Sequence, residues 1–188
     1  MFKPKEDRLN YGQLLMPPVG YTLVRAVGTT YSLDLETLMS VCISLGIQEN
    51  TDSTLTKNPF AILKSLQGLS EKLLIFCEAG QIKAMPPEKS PLMLMLDKMV
   101  VPVKLKAIEG KGIPSFHPKT WTLQYEDAEG NQHFRFIVLS RNLTFDRSWD
   151  VAVSLDGKLT GGNHKSSYPI VDFLEYLKYK ALDGVSLK

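Results

Sequence analysis

Histidine and cysteine are scarce in this chain, with three and two residues among 188. Cys42 and Cys77 both fall in stretches expected to form core elements, so they read as reduced, buried thiols. An excess of charge of one sign is also lacking. The formal net charge of +2 creates no compositional demand for a nucleic-acid or membrane partner, although a local basic patch remains open. No apolar run is long enough to span a bilayer. The opening residues, Met1-Phe-Lys-Pro-Lys-Glu-Asp-Arg8, lack the apolar stretch of a signal peptide. The expected compartment is therefore cytoplasmic, and the sequon Asn142-Leu-Thr144 reads as coincidence. There is no internal repeat and no low-complexity segment.

What is present suits a globular protein: 44% hydrophobic and 22% charged residues, in a chain long enough for one core with an arm. Residues 1–20 are polar and then proline-bearing, and are expected as an N-terminal arm lying against a domain formed by residues 21–188. Tyr21 to Thr30 reads as a strand by its β-branched content. A helix is expected next, with Ser32 or Asp34 at its start, a stripe of Leu35, Leu38, Met39, Cys42 and Leu45, and Gly46 able to end it. Gln48 to Asn58 is loop-like. Pro59 opens a second helix to about Glu71, with Phe60, Leu63, Leu66 and Leu69 inward.

Lys72 to Glu78 is a short continuous apolar run, typical of a strand covered on both faces. Pro86-Pro87 breaks the chain, Leu92 to Val100 reads as a short helix, and Val101 to Ala107 alternates as a strand. Further on, Trp121, Leu123 and Tyr125 share one face of a strand, and Phe134, Phe136 and Val138 share one face of another. Between them, Glu126 to Asn131 is a run of turn formers that closes a hairpin. Asp150 to Leu155 is expected as a last strand, and Gly157 to Ser167 as a loop. Ser167 would cap a final helix with Ile170, Phe173, Leu174, Leu177 and Ala181 in one stripe. Strands alternating with helices, plus a hairpin, imply an α/β domain with a mixed β-sheet flanked by helices.

The chemistry-bearing residues gather around the hairpin. His117 and Lys119 are two apart in an extended segment, so their side chains leave on the same side. Ser140 and Asn142 end the neighbouring strand with the same spacing. An imidazole, an ammonium, a hydroxyl and a carboxamide can converge there on a phosphate. His-x-Lys alone has low specificity, and its bland counterpart is a strand-edge histidine bonded to backbone. The ordered set is more specific: His-x-Lys entering a strand, a hairpin, Ser-x-Asn-Leu-Thr leaving the next strand, then Asp150 opening a third.

That set resembles the phospholipase D superfamily of phosphodiesterases, whose motif runs His-x-Lys, a spacer, then Gly/Ser-Ser-x-Asn. The matching residues are His117, Lys119, Ser140 and Asn142, with Leu143-Thr144 extending the likeness and Asp150 where family members carry an acid. Two positions depart from the pattern. Gln124 stands where many members have an acid, and Leu139 where a glycine is common. The Ser-x-Asn form looks closer to tyrosyl-DNA phosphodiesterases and bacterial nuclease-type members. The resemblance implies a single phospholipase D/nuclease-like lobe over residues 21–188.

It also implies phosphodiester hydrolysis without a metal or other cofactor. His117 would attack phosphorus, and Asp150 would hold its other ring nitrogen. Lys119 and Asn142 would bind the non-bridging oxygens, and Ser140 would orient Lys119 or the phosphate. The general acid would be a second histidine. His164-Lys165 has the wrong spacing and His133 begins a strand without a partner, so the second site would come from a homodimer partner or a following lobe.

Nucleic acid is the expected substrate, because no membrane-binding amphipathic helix or secretion signal favours a lipid. Two other readings stand beside it: a non-catalytic binding or scaffold module on the same fold, and a phospholipid-processing enzyme. Lys104, Lys106 and Lys111 read as solvated lysines or as a rim for a polyanion. Arg141 and Arg147 read as phosphate contacts or as structural partners of Asp146 and Asp150. Trp121 and Trp149 read as core, and Glu126, Asp127 and Glu129 as a hairpin tip.

Overall fold

The segment Trp121-Thr-Leu-Gln-Tyr125 alternates large apolar with polar residues, and that alternation lets one face be buried while the backbone pairs on both sides. In the computed structural model, which describes residues 11–49, 59–83, 93–107, 109–110, 112, 114–146, 150–162 and 164–185, it forms the middle of a six-stranded sheet. The strands are β1 (Tyr21–Thr30), β3 (Leu73–Glu78), β5 (Val100–Val103), β6 (Thr120–Asp127), β7 (Gln132–Leu139) and β8 (Ala152–Lys158). Their order is β5-β3-β1-β6-β7-β8. β5, β3 and β1 are parallel, and β1, β6, β7 and β8 are successively antiparallel. A two-stranded parallel pair, β2 (Leu33–Asp34) with β4 (Ile82–Lys83), lies beside it. The expected α/β domain with a mixed sheet and flanking helices is what the chain forms.

Helices cover both faces. α1 (Tyr11–Leu14), α2 (Leu35–Glu49), α3 (Pro59–Leu69) and α4 (Met93–Leu96) precede the hairpin, and α5 (Tyr168–Val185) closes the described chain. The larger core packs Leu38, Cys42, Leu66, Leu69, Ile75, Trp121, Leu123, Tyr125 and Ile137 together. The smaller one, on the opposite face, joins Phe76, Val103 and Phe116 to Leu177 of α5, with Phe173, Leu174 and Ala181 against it. A register shift between Leu23 and Arg25 lets Leu23 and Ala26 both sit opposite large core residues, Tyr125 and Leu123. Cys42 and Cys77 are buried and free, and burial pushes both thiols up to about 12.

Tyr125 donates its hydroxyl to the Leu15 carbonyl at 3.0 Å, and Arg135 donates to the Leu14 and Met16 carbonyls at 3.0 and 2.9 Å. The chain before β1 is thereby tied to the core face of the hairpin. The hairpin tip closes as its composition demands. Asp127 Oδ1 accepts the amides of Glu129 and Asn131 at 3.0 and 2.8 Å, and Gly130 takes the positive φ of 82° that the turn requires.

Several boundaries differ from the sequence reading. α2 continues past Gly46 to Glu49. Leu63 is 38% exposed although Leu66 and Leu69 are buried. Three-residue steps drift by about 60° on a 3.6-residue helix, so Leu63 and Leu69 cannot share a narrow seam. Leu74 is also 37% exposed, so β3 is not covered on both faces along its whole length.

β5 stops at Val103 rather than Ala107. It is an edge strand and tolerates Pro102, which brings no amide to the ladder. β8 begins and ends later than expected, because its span is set by pairing with β7 from Leu139↔Ala152 to His133↔Lys158. The short helix expected over Leu92 to Val100 is confined to Met93–Leu96, with Val100 already in β5. Leu92 lies outside the described residues, as do Pro86, Pro87, Lys111, Arg147 and Trp149. Among the described residues no helix is long and apolar enough to cross a membrane.

Candidate active site at one end of the sheet

The alternating directions of β1, β6, β7 and β8 bring four chain segments to one end of the sheet. They are the residues after β1, those before β6, those after β7 and those before β8. Tyr31 and Ser32, His117 and Lys119, Ser140 and Asn142, and Asp150 occupy these positions. The 114–119 segment belongs to no strand until Thr120. Its backbone nonetheless continues the ladder, because Leu139 donates its amide to the Lys119 carbonyl at 2.9 Å. Phe116 anchors the segment from below. Its side chain is buried in the smaller core and its amide donates to the Glu78 carboxylate at the end of β3. Beside it, Thr120 donates its amide to Thr29 Oγ1 at 2.9 Å, fixing the start of β6 against β1.

On this base His117 and Lys119 touch. Lys119 Nζ stands 3.0 Å from Nδ1 and 3.3 Å from Nε2 of the imidazole. An ammonium has only donors, so a ring nitrogen accepts. Partial burial lowers the Lys119 pKa from its ordinary value, since desolvation disfavours the charged form. The ring of Tyr31 lies against the same imidazole, with centroids 4.8 Å apart and a 39° angle between planes.

Ser140 and Asp150 form the second contact pair. Ser140 Oγ donates to Asp150 Oδ1 at 3.0 Å and accepts the Val151 amide at 2.9 Å. Arg141 donates to the other Asp150 oxygen at 3.2 Å. Its second terminal nitrogen donates to the carbonyls of Thr144 and Asp146 at 3.0 and 2.9 Å. Of the two roles open to Arg141, the structural pairing with Asp146 and Asp150 is therefore the one present.

Asn142 faces the end of β1, where its Oδ1 lies 3.5 Å from Thr30 Oγ1 and from the Ser32 amide. Leu143, buried next to it, donates its amide to Thr30 Oγ1 at 2.9 Å, and its carbonyl accepts the Asp34 amide at 2.8 Å. The turn after β7 is thus stitched to the turn after β1.

All five residues named from the sequence reach one end of the sheet. Among the described residues no hydrogen bond joins the His117–Lys119 pair to Ser140, Asn142 or Asp150. The expected bond from the imidazole to Asp150 is replaced by the Lys119 and Tyr31 contacts on one side and the Ser140 and Arg141 contacts on the other. Tyr31 escaped the sequence reading because it lies 86 positions before His117 and carries no motif spacing.

His133, read as lacking a partner, lies at the opposite end of β7 with its Nε2 2.6 Å from Asp156 Oδ1, which also receives Arg135 Nε at 2.8 Å. No group of three or more His, Cys, Asp or Glu among the described residues is arranged to hold a metal ion.

No family model and no curated protein matches the chain. Among solved structures, a mutant of yeast tyrosyl-DNA phosphodiesterase is similar to 75% of this chain at 13% identity with a TM-score of 0.42, and this chain spans 26% of that one.

Proposed function

We propose that this chain is one lobe of a phosphodiesterase that uses His117 as nucleophile, with a nucleic-acid phosphodiester as substrate. The observation that carries the reading is the contact between Lys119 Nζ and His117 Nδ1 at 3.0 Å, at the sheet end that Ser140, Asn142 and Asp150 also reach. A phosphate oxygen arriving there meets a cation beside an unsubstituted ring nitrogen, the two groups an attack on phosphorus requires.

In the first step the imidazole nitrogen bonds to phosphorus and the P–O bond to the leaving group breaks, giving a phosphohistidine. Lys119 turns from the ring to the non-bridging oxygens, joined by the Asn142 carboxamide. Asp150 acts through Ser140, whose hydroxyl donates to it and fixes the loop between β7 and β8. The leaving oxygen needs a proton, and in the second step water needs a base to cleave the P–N bond. A second imidazole, from a homodimer partner or a following lobe, supplies both.

The test is hydrolysis of bis(4-nitrophenyl) phosphate in excess chelator by the wild type and by His117→Ala, with size-exclusion chromatography and light scattering on the same samples. Loss of turnover in His117→Ala by two or more orders of magnitude is expected. A dimer whose wild type and variant are equally inert would instead favour a non-catalytic binding module.

A further inference from the structure

His117 is exposed, lies outside any strand, and makes no hydrogen bond to a carboxylate among the described residues. A nucleophile on such a segment needs something else to hold its ring. Lys119 does so in the free protein, yet it must leave the ring to bind phosphate. The remaining contact is Tyr31, whose ring lies 4.8 Å from the imidazole, centroid to centroid, at 39°. Such a contact does not compete for the phosphate, because ring-to-ring packing takes no hydrogen bond from either nitrogen.

Tyr31 is itself well anchored. It follows the last residue of β1, an interior strand of the sheet, and its carbonyl accepts the Glu78 amide at 3.3 Å. On one flank Thr30 Oγ1 donates to the Ser32 carbonyl at 2.8 Å and receives the Leu143 amide at 2.9 Å.

We propose that Tyr31 is the positioning residue for His117, acting through the face of its ring rather than through its hydroxyl. The face keeps the imidazole aimed when Lys119 swings away. It also lies beside the positive charge that builds on the ring as the P–N bond forms, and an aromatic face attracts a cation. The kinetic role of Tyr31 rests on the phosphodiesterase reading, whereas the ring contact does not.

Tyr31→Leu keeps much of the bulk without the aromatic face, and Tyr31→Phe keeps the face without the hydroxyl. With bis(4-nitrophenyl) phosphate, Tyr31→Leu is expected to lower kcat about two- to tenfold at unchanged KM, and Tyr31→Phe to retain wild-type kcat. In parallel, NMR of the His117 ring protons is expected to give ring-current-shifted resonances in the wild type and Tyr31→Phe, and ordinary ones in Tyr31→Leu. Equal kcat losses in Phe and Leu would assign the effect to the hydroxyl and overturn the proposal. So would His117 resonances that do not move in Tyr31→Leu. A dimeric but inert wild type would sink the phosphodiesterase reading alone, and the ring-proton shifts would still decide the Tyr31 contact.

Discussion

The Ser140 hydroxyl links two strands through Asp150: it donates to the carboxylate at 3.0 Å while accepting the Val151 amide at 2.9 Å. One small side chain just after β7 thereby bonds to the two consecutive residues that lead into β8. Ser140→Ala removes both bonds, at a cost of about 1 kcal/mol for exposed groups that water can partly re-solvate. Hydrogen exchange at the Val151 amide is expected to accelerate about fivefold in Ser140→Ala. Ser154→Ala, at an exposed position further along β8, is the control and should leave that amide unchanged. Equal exchange in the two variants would rule out the bridging role.

Gly28 leaves no room above it. A Cβ there would stand 2.6 Å from Ile75 Cδ1 and 3.1 Å from two ring carbons of Trp121, both residues fully buried. The Ile75 terminus has some freedom to rotate, but the indole has little. Gly28→Ala is expected to destabilise the fold by about 1–3 kcal/mol through overpacking. At roughly 2–4 °C per kcal/mol for a domain of this size, the loss is visible as a drop in Tm. Gly157→Ala, where a Cβ meets nothing within 4 Å, should leave Tm nearly unchanged, and matching melts for the two would refute the packing argument.

Asp156 sets an acid-side stability effect. Desolvation pushes its carboxyl up, but the hydrogen bonds from His133 and Arg135 and the Arg135 charge outweigh that, so the net pKa lies below the ordinary 3.8. A carboxylate depressed by folding contributes stability that is full above its unfolded value and is lost as pH falls through the folded one. The loss attributable to Asp156 therefore falls below about pH 4. The contribution is modest, because the side chain is 43% exposed and solvent screens the pair. Urea unfolding at several pH values is expected to show a steeper acid loss in the wild type than in Asp156→Asn. Parallel curves would mean that the His133–Asp156–Arg135 cluster contributes no linkage.

The elements with strong local periodicity were legible from residues alone. β1 matches Tyr21–Thr30, and the stripe of α5 matches its buried side, from Phe173 to Ala181. The hairpin was legible because Asp127, Gly130 and Asn131 encode its turn in their own side chains and φ preferences. The span of β8 was not legible, since its last residues, Asp156 to Lys158, are in a strand only through pairing with Arg135 to His133. Leu63 misled for a related reason: helical spacing reports a stripe, and the neighbours that meet it decide how wide that stripe is.

For the candidate site, spacing was enough to predict that His117 and Lys119 would leave on one side, because alternation in an extended chain is a local property. Strand order also identified Ser140 and Asn142 as neighbours of the same sheet end, whereas Asp150 was named from the family resemblance. Which of these groups touch was decided by tertiary structure. Asp150 is held by Ser140 and Arg141, and the ring of His117 is met by Tyr31, which follows a strand far earlier in the chain. Side-chain contacts across a sheet depend on where each strand stops and how its following turn is tied down. Those are properties of pairing between distant segments, whereas the direction in which a residue leaves its own strand is written in its immediate neighbours.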